Sequence, residues 1–386
     1  MRRAALLAFG ALLLAPRAGA QLTRAELERV ERPRVLAAAA RALREEPRTV
    51  TAYPAPRSAG GPHDYFSEGD YWWPDPTNPD GPYIQRDGMS NPGNFDDHRK
   101  ALMRFSVEMP ALAAAYTLTH DRKYSIAAAR HARAWFVAPT TRMTPALRYA
   151  QAIHGRVPGR GTGIIDTIHL VEVVRALERL DGAPGWTTDD AAAARRWFDA
   201  YLDWLTTDQY GKDERDTTNN HATCWVMQVA AFARYTGNTA LMQDCRSRYK
   251  TVLLPQMAPD GSFPRELART KPYGYSLFNL EAMATICQIL STPEDDLWTF
   301  ELPDGRGMRK AMAFMVPYIR NKASWPKPPD VMYAQDWPMR QASLLFAGVA
   351  LKEPSYLELW SSLPADSAVE EVIRNFFIRQ PLLWFD

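Results

Sequence analysis

Apolar residues recur at three- and four-residue spacing over residues 22–43, then over 95–119, 124–136, 164–180, 189–206 and 220–236. The pattern resumes over 241–256, 276–290, 307–319, 340–350 and 368–377. Such spacing puts apolar side chains on one face of an α-helix, so helices are predicted along most of the chain. Asp181-Gly182, Thr236-Gly237-Asn238 and Asp260-Gly261-Ser262 supply turns between them. No comparable series of alternating residues marks strands, although short ones are admitted near Ser262-Phe263. Residues 48–94 break the texture, being crowded with Pro, Gly, Asp and aromatic residues, among them Tyr71-Trp72-Trp73-Pro74-Asp75-Pro76. A long irregular segment in a compact domain is usually functional or disordered. Its aromatic content argues against disorder, and it is expected to form an ordered loop over a cleft.

Many helices of modest length, joined by short connections, suggest helical hairpins arranged in a ring. A four-helix bundle does not use this much chain, and no repeat of the kind that builds a solenoid emerges. The expected fold is all-α: an (α/α) toroid, an incomplete barrel of six or seven hairpins, with the aromatic loop near its N-terminus. At the start of the chain, Arg2 and Arg3 precede an apolar run over residues 4–14, and Ala18-Gly19-Ala20 offers a small-residue cleavage site. This is the pattern of a secretory signal peptide over residues 1–20. It implies a single domain over 21–386, located in the periplasm or secreted, with no membrane span after cleavage.

Charge adds little. The formal net charge is +2, and loss of Arg2, Arg3 and Arg17 brings it near neutral. No basic stripe of the kind that nucleic-acid proteins carry is visible, so an anionic ligand must be met by a local cluster of cations. Cys224, Cys245 and Cys287 lie in apolar helical patterns and show no zinc-ligand spacing. They are expected to be buried thiols, with one bonded pair as the alternative.

Two segments carry candidate chemistry. In Thr217-Thr218-Asn219-Asn220-His221-Ala222-Thr223-Cys224-Trp225, polar residues stand directly before an apolar helix. Asn219 or Asn220 is suited to cap it, but capping does not account for His221. The second segment runs Asp260-Gly261-Ser262-Phe263-Pro264-Arg265-Glu266-Leu267-Ala268-Arg269, then Tyr273-Gly274-Tyr275 and a helix containing Asn279 and Glu281. In isolation it reads first as a surface turn with solvated arginines, with a cleft wall as the alternative.

Together the two segments resemble the alginate-lyase superfamily of polysaccharide lyases. Family 5 of those lyases has an Asn-His pair, an Asp-Gly-x-x-Pro-x-Glu-Leu-x-Arg run and a tyrosine shortly before Leu-Glu. Asn220-His221, Asp260 to Arg269, Tyr275 and Leu280-Glu281 match in the same order. The interval from Arg269 to Tyr275 is one residue shorter than in family 5. With Trp72 to Pro76 and Tyr83-Ile84-x-Arg86-Asp87-Gly88, it looks more like family 38, whose members act on glucuronan or mannuronate-rich alginate. Residues 161–167 also look familiar, and the likeness weakens toward the C-terminus.

The resemblance implies β-elimination on a 1,4-linked uronate polymer, an anionic polysaccharide, with no cofactor and no metal. The C5 proton is a poor acid while the neighbouring carboxylate carries full charge, so neutralising that carboxylate is the main electrostatic task. The resemblance gives this task to Asn220, His221 and Arg269, and arginine suits a carboxylate through its fork of donors. Tyr275 is then the proton carrier. A free tyrosine has a pKa of about 10, and Arg269 and a protonated His221 are expected to favour its phenolate. In mannuronate and glucuronate one tyrosine serves both proton transfers, as C5–H and O4 share a ring face. Guluronate needs a second group, for which His221 is the obvious choice. Trp72, Trp73 and Tyr83 are suited to stack on sugars, with packing as the alternative for the tryptophans, and Arg86 to meet a carboxylate in a neighbouring subsite. Asn219, His98, His154, Arg160, Arg265 and Tyr273 are further candidates for the cleft.

Two other classes compete. A glycoside hydrolase on the same toroid, acting on uronyl oligosaccharides, needs a pair of carboxylates. Asp166, Asp216, Glu266 and Asp336 are available, without a recognisable pairing. A non-catalytic carbohydrate-binding protein is the second rival, but it has no use for a proton-transfer tyrosine.

Overall fold

The structure is a computed structural model that describes residues 22–385; the expected signal peptide therefore lies outside the described residues. The main helices are α1 (Arg24–Ala42), α2 (Asp97–Thr119), α3 (Arg122–Phe136), α4 (Leu170–Leu180), α5 (Thr188–Thr207), α6 (Gln209–Arg215) and α7 (Asn220–Thr236). They continue as α8 (Thr239–Arg248), α9 (Pro264–Leu267), α10 (Pro272–Leu290), α11 (Met308–Arg320), α12 (Ala342–Ala350), α13 (Pro354–Ser362) and α14 (Glu370–Asn375).

Two kinds of helix build the ring. Helices α2, α4, α7, α10 and α12 pack each on the next, and they are buried nearly all round. In α10 every residue from Ser276 to Cys287 is buried, and in α7 every residue from Ala222 to Ala233. A helix apolar on all sides belongs inside a larger body. Helices α1, α3, α5, α8, α11 and α13 lie outside them. Their burial follows one stripe, as in α11, where Met308, Ala311, Met312, Met315, Val316 and Ile319 are the covered positions. The result is the expected (α/α) toroid.

Buried carboxylates join the ring across long stretches of sequence. Glu281 on α10 accepts hydrogen bonds from the amides of Ala342 (2.8 Å) and Ser343 (2.9 Å) at the N-terminus of α12, where free amides need a partner. Glu172 on α4 accepts from the amides of Arg379 (2.9 Å) and Gln380 (2.7 Å) and from Trp384 Nε1 (3.3 Å). The C-terminal segment thereby bridges the two ends of the ring. Its turn Pro381–Leu383 packs on α1, α2 and α4. The Trp384 and Phe385 rings meet Phe346 of α12 at 5.4 and 5.8 Å.

The aromatic loop is less irregular than its composition suggests. It contains β1 (Phe66–Glu68), β2 (Trp72–Trp73) and β3 (Ile84–Gln85); β2 and β3 pair antiparallel, while β1 pairs in parallel with β4 (Tyr149–Ala152). Buried Asp166 ties the loop down, accepting from Tyr65 Oη (3.1 Å), Ser67 Oγ (2.6 Å) and Gln151 Nε2 (3.2 Å). The strand admitted near Ser262-Phe263 is absent. Ser262 instead donates its amide (2.9 Å) and hydroxyl (2.7 Å) to Asp260 Oδ1. Gly261 turns there at φ 94°, with the Lys310 carbonyl 2.3 Å from where a Cβ would stand. The three cysteines are buried and unbonded.

Candidate active site

The N-terminus of α7, the turn after α9, the start of α10 and the aromatic loop meet around a cavity of about 450 Å³. Asn219, Asn220, His221, Arg269 and Tyr275 all line it, with Tyr71, Trp72, Gln85 and Asp87 from the loop, Gln151 from β4 and Arg160 beyond it. Residues from both motif segments thus share one wall.

The local geometry explains why. Asn219 is the cap of α7, its side chain accepting the His221 amide at 3.3 Å, which leaves Asn220 free for another task. Asn220 is buried and bound twice to Glu266: its amide donates to Oε1 at 2.7 Å and its Nδ2 to Oε2 at 2.7 Å. That leaves the second Nδ2 proton as a donor. Glu266 itself is buried, and burial raises its pKa against the pull of the Asn220 bonds and Arg269. His221 Nδ1 lies 2.6 Å from Glu214 Oε1, a buried carboxylate on α6.

Arg269 is held by Asp87 through Nε (3.2 Å) and Nη2 (2.6 Å), and its Nη2 also donates to Tyr275 Oη at 2.8 Å. Its guanidinium lies 4.0 Å from the Tyr275 ring centre. Partial burial raises the Asp87 pKa, but the bonds from Arg269 and Thr270 outweigh it and hold the carboxyl below its ordinary range. Tyr71 Oη and Tyr275 Oη share a hydrogen bond of 2.9 Å. Burial outweighs the expected pull of Arg269 toward the Tyr275 phenolate. Burial pushes this phenol above its ordinary pKa, and Arg269 and Tyr71 lower it only in part.

At the other end of the cavity, Arg160 donates to the Gln151 carbonyl (3.1 Å) and Oε1 (2.9 Å) and lies 5.8 Å from the Trp72 ring centre. It makes no ion pair among the described residues. Gln151 holds a left-handed backbone at φ 49°, a conformation that costs a non-glycine residue about 1–2 kcal/mol. Half-buried Arg374 from α14 also reaches this cavity and is bonded to Asp70.

Other expected site residues lie elsewhere. His98 is a core residue: its Nδ1 accepts the Phe66 amide at 2.9 Å and its Nε2 sits 2.7 Å from the Tyr53 carbonyl, so both nitrogens serve the loop's backbone. Tyr273 is buried, donates to the Tyr318 carbonyl at 3.2 Å and packs edge-on against Trp325. Arg265 is exposed on α9, outside the cavity lining. His154 and Tyr83 pack on each other with ring centres 5.0 Å apart, and Arg86 lies 5.3 Å from the Trp73 ring; neither pair lines this cavity. Of the three aromatic residues expected to stack on sugars, Trp72 alone does. Sequence reasoning missed Glu214, Tyr71, Asp87, Gln151 and Arg374. Tyr71 and Asp87 adjoin the loop motifs, which was a usable signal; nothing local marks Glu214.

Among the described residues no group of three or more His, Cys, Asp or Glu side chains is placed to hold a metal ion, and no helix is long and apolar enough to cross a membrane.

Comparison with known proteins bears on the same elements. The alginate lyase family model matches residues 49–325. A solved alginate lyase from Bacteroides ovatus is 30% identical, with 92% of this chain and 97% of that one covered and a TM-score of 0.80. Two variants of alginate lyase A1-III, each complexed with a tetrasaccharide, are 12% and 13% identical, with TM-scores of 0.57 and 0.53. Each covers 91% of this chain and 94% of its own, and at that identity they speak for the fold alone. No curated protein matches the chain. The family match spans both motif segments and the loop that covers them, and the chain belongs to the alginate lyase family of polysaccharide lyases.

Proposed function

We propose that this lyase cleaves a 1,4-linked uronate polymer, glucuronan or mannuronate-rich alginate, by β-elimination, and leaves a 4,5-unsaturated uronate end. The observation that carries the reading is the contact of Tyr275 Oη with Arg269 Nη2 at 2.8 Å in a cavity shared with Asn220 and His221. One uronate carboxylate, met by Arg269, Asn220 Nδ2 and His221, brings its C5 proton to the tyrosine. Charge that develops on the carboxylate is then stabilised by donors already in place. The C5–H bond breaks as Tyr275 takes the proton, the electron pair forms the C4–C5 double bond, and O4 leaves with a proton returned by the same hydroxyl. The loop motifs and the short Arg269–Tyr275 interval favour the family 38 type over family 5.

Arg160 and Trp72 suit a neighbouring subsite, where an unpaired guanidinium meets a second carboxylate beside an indole. The carboxylates offered for hydrolysis are otherwise engaged. Asp166 anchors the loop, Glu266 holds Asn220, Asp216 pairs on the surface with Arg215, and Asp336 accepts from Gln335 away from the cavity. Asp70 and Asp87, which line the cavity, are each bonded to an arginine.

The test is a panel of glucuronan, polymannuronate, polyguluronate and a neutral glucan, each digest followed in the ultraviolet band of the unsaturated ring. Absorbance is expected from the first two and none from the glucan. New reducing ends without that absorbance would make the protein a hydrolase.

A further inference from the structure

Glu214 has no part in the motifs, yet it sits directly behind His221. It is about 1% exposed, on α6, seven residues before the histidine in sequence and 2.6 Å from its Nδ1. Its other oxygen, Oε2, is buried without a hydrogen-bond partner among the described residues. A carboxylate stripped of water at this cost has one side-chain partner, the imidazole.

The arrangement has a defined chemical effect. A carboxylate oxygen only accepts, so the Nδ1 it faces carries the proton. Nε2 is then the atom left for the cavity that His221 lines. In the neutral ring Nε2 holds a lone pair; in the protonated ring it holds an N–H. The first is a base for a C5 proton on the ring face away from Tyr275, and the second is a donor to the substrate carboxylate. Both roles require the same tautomer and ring orientation. Other charged groups around the ring do not supply this. Glu266 is bonded to Asn220, Arg269 to Asp87 and Tyr275, and Arg160 to Gln151.

We propose that Glu214 is a positioning residue that holds His221 in the Nδ1–H tautomer with Nε2 facing the substrate. The inference rests on the lyase reading for its consequence in turnover, but the tautomer is testable without substrate. In ¹⁵N NMR of the full chain, the neutral His221 ring is expected to show a protonated Nδ1 in the wild type and a mixed or Nε2–H signal in Glu214→Ala. Glu214→Gln keeps an oxygen acceptor and is expected to fall between them.

In steady-state kinetics on the polymer that the panel identifies, kcat of Glu214→Ala is expected to fall by about tenfold or more, the scale of one misplaced proton-handling group. KM is expected to stay within about threefold, with Glu214→Gln recovering part of kcat. An unchanged tautomer in both variants, or a wild-type kcat in Glu214→Ala, would overturn the proposal. Should Glu214→Ala fail to fold, Glu214→Gln decides alone: a tautomer and kcat equal to wild type would sink it. If the wild type makes no unsaturated ends on any uronate polymer, the lyase reading fails while the NMR result still judges Glu214.

Discussion

A phenol must lose its own proton before it can take one from carbon, and for Tyr275 the surroundings disagree about that loss. Burial holds the proton on, while Arg269 at 2.8 Å and the Tyr71 hydroxyl at 2.9 Å draw it off. The balance leaves the pKa above the ordinary tyrosine value, so the phenolate fraction grows with pH throughout the neutral and alkaline range. Arg269 does not lose its charge over that range, because Asp87 and Tyr275 raise its pKa in spite of burial. Polymer cleavage is therefore expected to rise with pH above neutrality, and Tyr275→Phe to abolish it at every pH. Binding of the polymer by that variant, measured by calorimetry, is expected to stay near wild type. A variant that keeps the wild-type rate would remove Tyr275 from the mechanism. Asn220 shows why single residues were only half legible. Its neighbour Asn219 does the capping that either asparagine was fit for, and the Glu266 bond that holds Asn220 in the cavity wall joins residues 46 apart.

Elements were legible where local chemistry marks their ends. Helix α7 runs from Asn220 to Thr236, as its spacing implies, because Asn219 caps one end and Gly237 turns left-handed at the other with φ 79°. Helix α10 starts at Pro272, four residues before the apolar pattern, since proline suits a first turn whose own amides need no intrahelical partner. Helix α6 was missed: only Gly211 and Glu214 of its seven residues are buried, so it has no apolar stripe. That miss also hid Glu214. Element junctions made by buried carboxylates are equally silent in sequence, and Glu281 gives one a measurable signature. Burial lifts its pKa from 4.5 to about 7 against the amides of Ala342 and Ser343. A pKa raised by folding means that the native state binds the proton more tightly than the unfolded chain. Stability from this group is thus fully present below pH 4.5 and is lost as pH rises to about 7, on the order of 3 kcal/mol by linkage. Glu281→Gln, which stays neutral, is expected to flatten that part of the stability-against-pH curve in urea unfolding. An unchanged slope would show that Glu281 does not titrate there.

At the scale of the whole molecule, the toroid follows from having two classes of helix, one apolar all round and one apolar on a stripe. What periodicity does not reveal is how the ends of the ring are joined. That depends on Glu172, 207 residues before the Arg379 amide that it accepts. The same segment leads out of α14, whose Arg374 and Asn375 line the cavity that Tyr275 and His221 share. Closure and site are thus mechanically linked, through chain that the family match at residues 49–325 does not include. Glu172→Ala leaves two buried backbone amides and the Trp384 indole without their acceptor, a loss of about 3 kcal/mol or more when unmade bonds of about 1–3 kcal/mol each are left in the core. Glu172→Gln retains one acceptor oxygen and is expected to lose less. Circular dichroism melts of the two variants are therefore expected to rank wild type, then Glu172→Gln, then Glu172→Ala. The lyase rate, assayed well below each melting temperature, is expected to fall in Glu172→Ala as α14 loosens and Arg374 leaves its place beside Asp70. If the melt drops while the rate stays at the wild-type level, the C-terminal segment closes the ring without shaping the site.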